Sequence, residues 1–332
     1  MSKRIVIVGF GFMGQTHTFN VCAHPDLELA GIVSLEDPVE YLKNAAGNLV
    51  VDHVTPEMLA GVPHFLDLPS ALAATRPDAV VIATPTRCHY EQAMQAIEAG
   101  CSVFLEKPMC LETAKCRELV AAAKAKGVVL MVGLCQRYTR EFAYLREAVR
   151  SGEYGRPVYF RFSRYCGVPG WGHWTDPKVT ATSGGAMFDL AIHDADLVQA
   201  LFGLPTEIQA ATFLWERMGQ LALDVCWRYK DGPVVRLDAG FLQPKTLPFH
   251  SDFTAIFEKA TFRYDEHGLQ LCTDEKVSLL NCASDDCYHL EMQEFASCIH
   301  EGRAPKDGTG EDGVAAIEMC NLMNDASRGA SA

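Results

Sequence analysis

Ile5-Val6-Ile7-Val8 runs directly into Gly9-Phe10-Gly11-Phe12-Met13-Gly14, and this junction decides the fold of the 332-residue chain. Four β-branched apolar residues predict a short, buried strand. The six that follow spell G-x-G-x-x-G, and a helix is expected over 14–23. Alone the pattern is weak. Between a strand and a helix it reads as a dinucleotide fingerprint. The first glycine permits the tight turn, the second lets backbone approach a pyrophosphate, and the third lets helix and strand pack closely. The pyrophosphate would sit at the helix N-terminus, where free N–H groups and the dipole favour an anion. From Ile5 to Pro25 there is no Asp, Glu, Lys or Arg. After Lys3 and Arg4 that length would suit a membrane span or signal peptide, but its glycines, Gln15, Thr16, His17 and Asn20 make it too polar for either.

Outward from this junction, strand and helix signals alternate. Strands are expected at 29–33, 79–83, 103–105 and 128–132, with helices at 89–99 and 113–126. Short, continuously apolar strands between amphipathic helices predict a parallel sheet covered on both faces. With right-handed crossovers this is a doubly wound α/β Rossmann domain, residues 1–133.

The second half, residues 134–332, reads differently. Val158, Phe160 and Phe162 alternate with Tyr159, Arg161 and Ser163, the pattern of a half-exposed strand. A helix is expected over 186–201. Strand-like runs then follow one another at 208–213, 221–229, 234–241, 253–257 and 261–264. Strands without intervening helices predict an α+β domain with a large, mostly antiparallel, open sheet. Helices over 288–300 and 312–327 close the chain.

Composition narrows the function. Lys plus Arg number 29 and Asp plus Glu 42, for a formal charge of −13. That field repels nucleic acid and anionic membranes, and no basic run offsets it. The cysteine count is odd at 13, without a CxxC pair. Reduced, mostly buried thiols in a cytoplasmic protein are expected, with no metal site.

The residue that holds the adenine ribose selects the cofactor. At the expected strand end stand Ser34 and Leu35, with Glu36 and Asp37 just beyond. No Lys or Arg lies between Arg4 and Lys43 to hold a 2′-phosphate. The expectation is NAD, with Glu36 (beside Ser34) on the ribose and NADP as the alternative. A solvated loop carboxylate is the competing reading of Glu36.

Two further motifs carry chemistry. Glu106-Lys107-Pro108 stands at the carboxyl end of an apolar strand, where open α/β sheets place ligands. Gly184-Gly185-Ala186-Met187-Phe188-Asp189-Leu190-Ala191-Ile192-His193-Asp194 puts Asp189 and His193 four apart, on one face of a helix. Histidine can take a hydroxyl proton near neutral pH, and a carboxylate one turn away can orient it or hold substrate. Taken singly, Glu106-Lys107 is more readily the charge that commonly follows a strand, and the Asp189/His193 pair a helix-surface ion pair.

Together the motifs resemble the glucose–fructose oxidoreductase/inositol dehydrogenase/rhizopine-catabolism family, Gfo/Idh/MocA. They are Gly9-x-Gly11-x-x-Gly14-x-x-His17, Thr84-Pro85-Thr86-x-x-His89, Glu106-Lys107-Pro108 and Gly184-Gly185-x-x-x-Asp189-x-x-x-His193-Asp194. The resemblance implies a nicotinamide cofactor, sugar or polyol substrates, and homodimers or homotetramers packed through the C-terminal sheet. By the same resemblance, Lys107 contacts substrate and nicotinamide ribose, Asp189 binds substrate, and His193 is the acid/base. Thr84, Pro85 and His89 would line the nicotinamide half of the site, with Glu106 near its ribose. Ser34-Leu35 departs from the Asp of many NAD-using members.

The implied reaction is hydride transfer between a carbinol of a sugar, inositol or related polyol and nicotinamide. Two alternatives are an NAD-dependent glycosidase using transient oxidation and a cofactor-binding regulator without catalysis. For substrate, Arg137, Tyr165, Trp171 and Trp174 are candidates beside Asp189, the aromatic faces suiting sugar C–H groups and Arg137 a carboxylate or hydroxyls. A domain-hinge ion pair for Arg137 and core packing for the tryptophans are the competing readings.

Overall fold

The computed structural model describes residues 2–43, 54–167, 182–215, 219–244, 246–283 and 286–329. Two compact units emerge: Met1–Cys135 with Asp286–Val314, and Gln136–Asp285 with Ala315–Ala332. The sequence reading drew one boundary at 133/134. Residues 286–314, placed by that reading in the second domain, instead return to the first unit, because their helix Cys287–Glu301 packs on the helix of the glycine loop.

The first unit holds a six-stranded sheet ordered β3-β2-β1-β4-β5-β6. Its strands are β1 (Lys3–Val8), β2 (Leu27–Val33), β3 (His64–Phe65), β4 (Ala79–Ile82), β5 (Ser102–Glu106) and β6 (Leu130–Gly133). All the pairings are parallel. Ile5 to Val8 and Ala79 to Ile82 are fully buried, as continuous apolar runs in a doubly covered sheet must be. The strand order reverses between β1 and β4, the switch point where such sheets bind ligands. The helices are α1 (Phe12–Ala23), α2 (Pro38–Leu42), α3 (Leu68–Thr75), α4 (His89–Glu98) and α5 (Thr113–Lys126).

The second unit is built on an eight-stranded sheet in which only β7 (Pro157–Gly167) and β10 (Val234–Gln243) run parallel. The remaining strands are β8 (Glu207–Trp215), β9 (Gly219–Arg228), β11 (His250–Phe257), β12 (Thr261–Asp265), β13 (Gly268–Cys272) and β14 (Val277–Leu279). Their pairings are antiparallel. The helices α6 (Arg140–Ser151) and α7 (Ile192–Phe202) belong to this unit. The closing helices are α8 (Cys287–Glu301) and α9 (Gly310–Gly329). The sequence reading placed neither α3 nor α6. The second was legible, with Thr139 capping Phe142 N–H and Phe142, Leu145 and Ala148 forming one buried stripe.

All thirteen cysteines are free. Among the described residues no helix is long and apolar enough to cross a membrane.

Candidate active site

The glycine loop divides its work as the fingerprint requires. Gly9 has φ +91°, and a Cβ there would lie 2.6 Å from the Ala83 carbonyl oxygen. At Gly14 a Cβ would stand 2.0 Å from the Gly9 oxygen, so only glycine lets α1 pack this closely. A Cβ on Gly11 would meet nothing within 4 Å. Gly11 is also the N-cap of α1, no side chain caps the first turn, and no acidic residue lies in it. Open space before uncapped N–H groups is a cradle for an anion, and a pyrophosphate fits it. Phe12 and Met13 are half-buried beside it, whereas the Phe10 ring is buried edge-on to Tyr41.

Past β2, the Ser34 hydroxyl donates to the Glu36 carbonyl at 2.6 Å. Asp37 is spent capping α2 through Val39 and Glu40 N–H. Both carboxylates in this turn are exposed, and Glu36 is the one outside the cap.

At the ends of β4 and β5 a second cluster forms. Lys107 is half-buried, while every other residue from Val103 to Cys110 is buried. Glu106 is buried, with Oε1 2.6 Å from His17 Nε2 and Oε2 accepting the Lys107 N–H at 3.2 Å. Gly133 makes room for this carboxylate, since a Cβ there would lie 3.1 Å from Oε1. The His17 ring packs edge-on against Phe104 and Tyr288. His89 is buried between two carbonyls, Nδ1 2.9 Å from Pro108 O and Nε2 2.7 Å from Thr84 O. Burial lowers its pKa, while the two carbonyl acceptors, which favour the doubly protonated ring, oppose that shift. The Thr84 hydroxyl donates to Gln92 at 2.6 Å, and Pro85 is exposed.

Glu291 of α8 completes this cluster, and the sequence reading missed it. It is fully buried, with neither carboxylate oxygen hydrogen-bonded. Burial, with Cys135 and Glu106 nearby, raises its pKa well above the carboxylate range and so favours the neutral acid. The available signal was a carboxylate on the same helix stripe as Phe295 and Cys298. His17, Glu106 and Glu291 offer ligand atoms within 4.8 Å of one another. The 2.6 Å His17–Glu106 separation is nonetheless a hydrogen bond. Two ligands on one tetrahedral zinc would stand about 3.3 Å apart.

In the second unit, Asp189 lies on a single π-helical turn, Met187–Ala191, that leads into α7. Such single turns are frequent at functional sites. From Gly185 to Val198 every side chain is buried except Asp189 and His193, which are half-buried. Gly184 before the turn has φ +85°, and a Cβ there would strike Phe188 at 2.5 Å. The structure thus brings Asp189 and His193 to one partly open face.

The substrate candidates fare unevenly. Arg137 is buried, with its fork closed on Asp196 by two 2.8 Å hydrogen bonds. The structure contains an ion pair, but both partners belong to the second unit, so it is an internal pair and not the hinge pair the sequence suggested. The Tyr165 hydroxyl donates to Asp238 at 2.8 Å. Its neighbour Arg164 faces α7, so the strand pleat turns Tyr165 to the opposite face of the sheet from His193. Trp171 and Trp174 lie outside the described residues.

Comparison with known proteins follows this geometry. A model described as "Oxidoreductase family, NAD-binding Rossmann fold" matches residues 3–134, and the "GFO/IDH/MocA C-terminal domain" matches 142–263. The chain belongs to the Gfo/Idh/MocA oxidoreductase family. NAD is therefore the cofactor of its first unit, as the glycine cradle allows. Among Gfo/Idh/MocA relatives, the D-glucoside 3-dehydrogenase of Escherichia coli (strain K12) is 31% identical over 65% of this chain and 58% of its own length. The chain thus spans little more than half of that relative. The scyllo-inositol 2-dehydrogenase (NAD(+)) of Bacillus subtilis (strain 168) is 26% identical over 91% of this chain and 87% of its own. The crystal structure of myo-inositol 2-dehydrogenase from Lactobacillus plantarum superposes with a TM-score of 0.82 at 22% identity, covering 99% and 98% of the two chains. At that identity the likeness establishes the fold.

Proposed function

We propose that this chain is an NAD-dependent dehydrogenase that oxidises a carbinol of a sugar, an inositol or a related polyol. The observation that carries the reading is selective exposure. Lys107, Asp189 and His193 are each half-buried within runs whose other side chains are buried. A chain that opens only its lysine, carboxylate and imidazole from such runs has placed them for a polar ligand.

Bound NAD supplies the hydride acceptor. His193 takes the hydroxyl proton as the carbinol is oxidised. The Lys107 ammonium hydrogen-bonds the reacting oxygen and stabilises negative charge as it develops. Asp189 holds a neighbouring hydroxyl and orients His193. On the first unit, the α1 N-terminus holds the pyrophosphate and Glu36 the adenine ribose. Relatives named for D-glucoside and scyllo-inositol oxidation support the substrate class.

The proposal extends to a homodimer or homotetramer in a reducing compartment. Exposed Val158, Leu242, Val277 and Leu279 on the second sheet favour assembly there, and the free thiols favour the compartment.

The test is absorbance of reduced nicotinamide across sugars, inositols and sugar acids, with NAD and NADP in parallel. The expected result is NAD reduction by one of them. His193→Ala should cut turnover by about 10²–10⁴-fold with NAD affinity intact. Near-normal turnover in that variant would remove His193 as the base.

A further inference from the structure

Lys107 leaves β5 between two clamps. On its N-terminal side, its own N–H is bound by Glu106, whose other oxygen lies 2.6 Å from His17. On its C-terminal side, the Pro108 carbonyl lies 2.9 Å from His89 Nδ1. The far nitrogen of His89 lies 2.7 Å from Thr84 O, which ties the end of β5 to the end of β4. His17 is 0% and His89 1% exposed, so neither touches a substrate. The two residues flanking Lys107 are thus gripped from within, while its own side chain is half-buried.

We propose that His17 and His89 are positioning residues for the reaction, acting through the Lys107 backbone. This rests on the reading of Lys107 as an active-site group. The energetics favour a rigid clamp. Releasing Glu106 from His17 strands a buried carboxylate, and moving Pro108 strands a buried carbonyl, each a costly state. A displacement of about 1 Å at a reacting group can cost on the order of 10²-fold in rate. Two buried histidines that deny the Lys107 backbone such freedom therefore contribute to turnover without contact.

The experiment is a double-mutant cycle, using the compound that reduces NAD fastest in the panel. His17→Leu removes the hydrogen bond to Glu106. His17→Gln retains an N–H at similar reach. We expect His17→Leu to lower kcat about tenfold or more, with NAD affinity by fluorescence titration unchanged. Gln should recover most of the loss. In a Lys107→Met background the same His17→Leu change should cost almost nothing further, because neighbours acting as one unit are not additive. If the Leu variant fails to fold, His89→Asn enters the cycle in its place. Equal losses with and without Lys107, or an NAD affinity that falls in step with kcat, would overturn the proposal. Should Lys107→Met itself leave kcat intact, the reading of Lys107 fails, an outcome distinct from additivity.

Discussion

Arg164 grips Asp194, one residue beyond His193, through hydrogen bonds of 2.7 and 2.8 Å with both partners buried. Two residues on, Asp196 is held in the same bidentate manner by Arg137. The first turn of α7 is therefore pinned by two guanidinium forks. A cavity of about 160 Å³ lies against the first pair, lined also by Phe249 and Asp252. Removing one member of a buried pair strands the other charge, at a cost of about 3–5 kcal/mol. Asp194→Leu should lose that much in urea unfolding, and adding Arg164→Met should restore most of it. A double variant no more stable than the single would show that the pair matters by shape and not by charge.

Gly11 and Gly14 should separate binding from folding. Gly14→Ala forces a Cβ to within 2.0 Å of the Gly9 oxygen, so the domain should be severely destabilised. Gly11→Ala has open space and φ −71°, so only the weaker N-cap is lost, at about 1 kcal/mol or less. Its added methyl enters the cradle, and NAD affinity should fall on the order of tenfold, about 1.4 kcal/mol. Thermal melts and NAD titration read the two effects independently. A Gly11→Ala variant with undiminished NAD affinity would contradict the cradle.

Glu291 gives a pH dependence of defined sign. Its pKa is raised in the fold and ordinary in the unfolded chain. Above about pH 4.3 the unfolded carboxyl releases its proton while the folded one keeps it. Stability then falls as pH rises, by up to about 1.4 kcal/mol per unit, until the folded group also ionises. Glu291→Gln is neutral at every pH. It should be more stable than the parent at pH 8, by a margin that shrinks toward pH 5. Melting curves across that range check it, and a constant difference would refute the neutral carboxyl.

Glu36 should matter to NAD and not to NADP. It is exposed, and Asp37, its neighbour, is committed to the α2 cap. Glu36→Ala should weaken NAD about fivefold, some 1 kcal/mol for a lost charge-assisted hydrogen bond. NADP should bind the variant no worse than it binds the parent. Parallel titration of both nucleotides decides this, and an unchanged NAD affinity would leave Glu36 a solvated loop residue.

Much of the fold was legible because it is local. Thr113 and Lys126 bound their helix as the sequence reading expected, since its stop is a single glycine. The Gly9–Gly14 loop stands between a strand and a helix as its pattern required. The two-residue β3 offers too short a run for any period, and it forms because β2 presents an open edge at Ile32 and Val33. At the candidate site, the half-buried face shared by Asp189 and His193 followed from their spacing. The π turn that carries Asp189 did not, since it is a packing solution with no pattern of its own.

By itself the sequence determined the alternation of elements, the glycine loop, the family and the identity of the polar groups. These depend on neighbours within a few residues, where periodicity and steric rules act. Only the tertiary structure decided which buried charges belong together. His17 meets Glu106 across 89 positions, and Arg137 meets Asp196 across 59. Any of many carboxylates could satisfy an arginine or histidine by charge alone. The choice falls to the one that packing brings within hydrogen-bond reach, where desolvation makes every other arrangement costly.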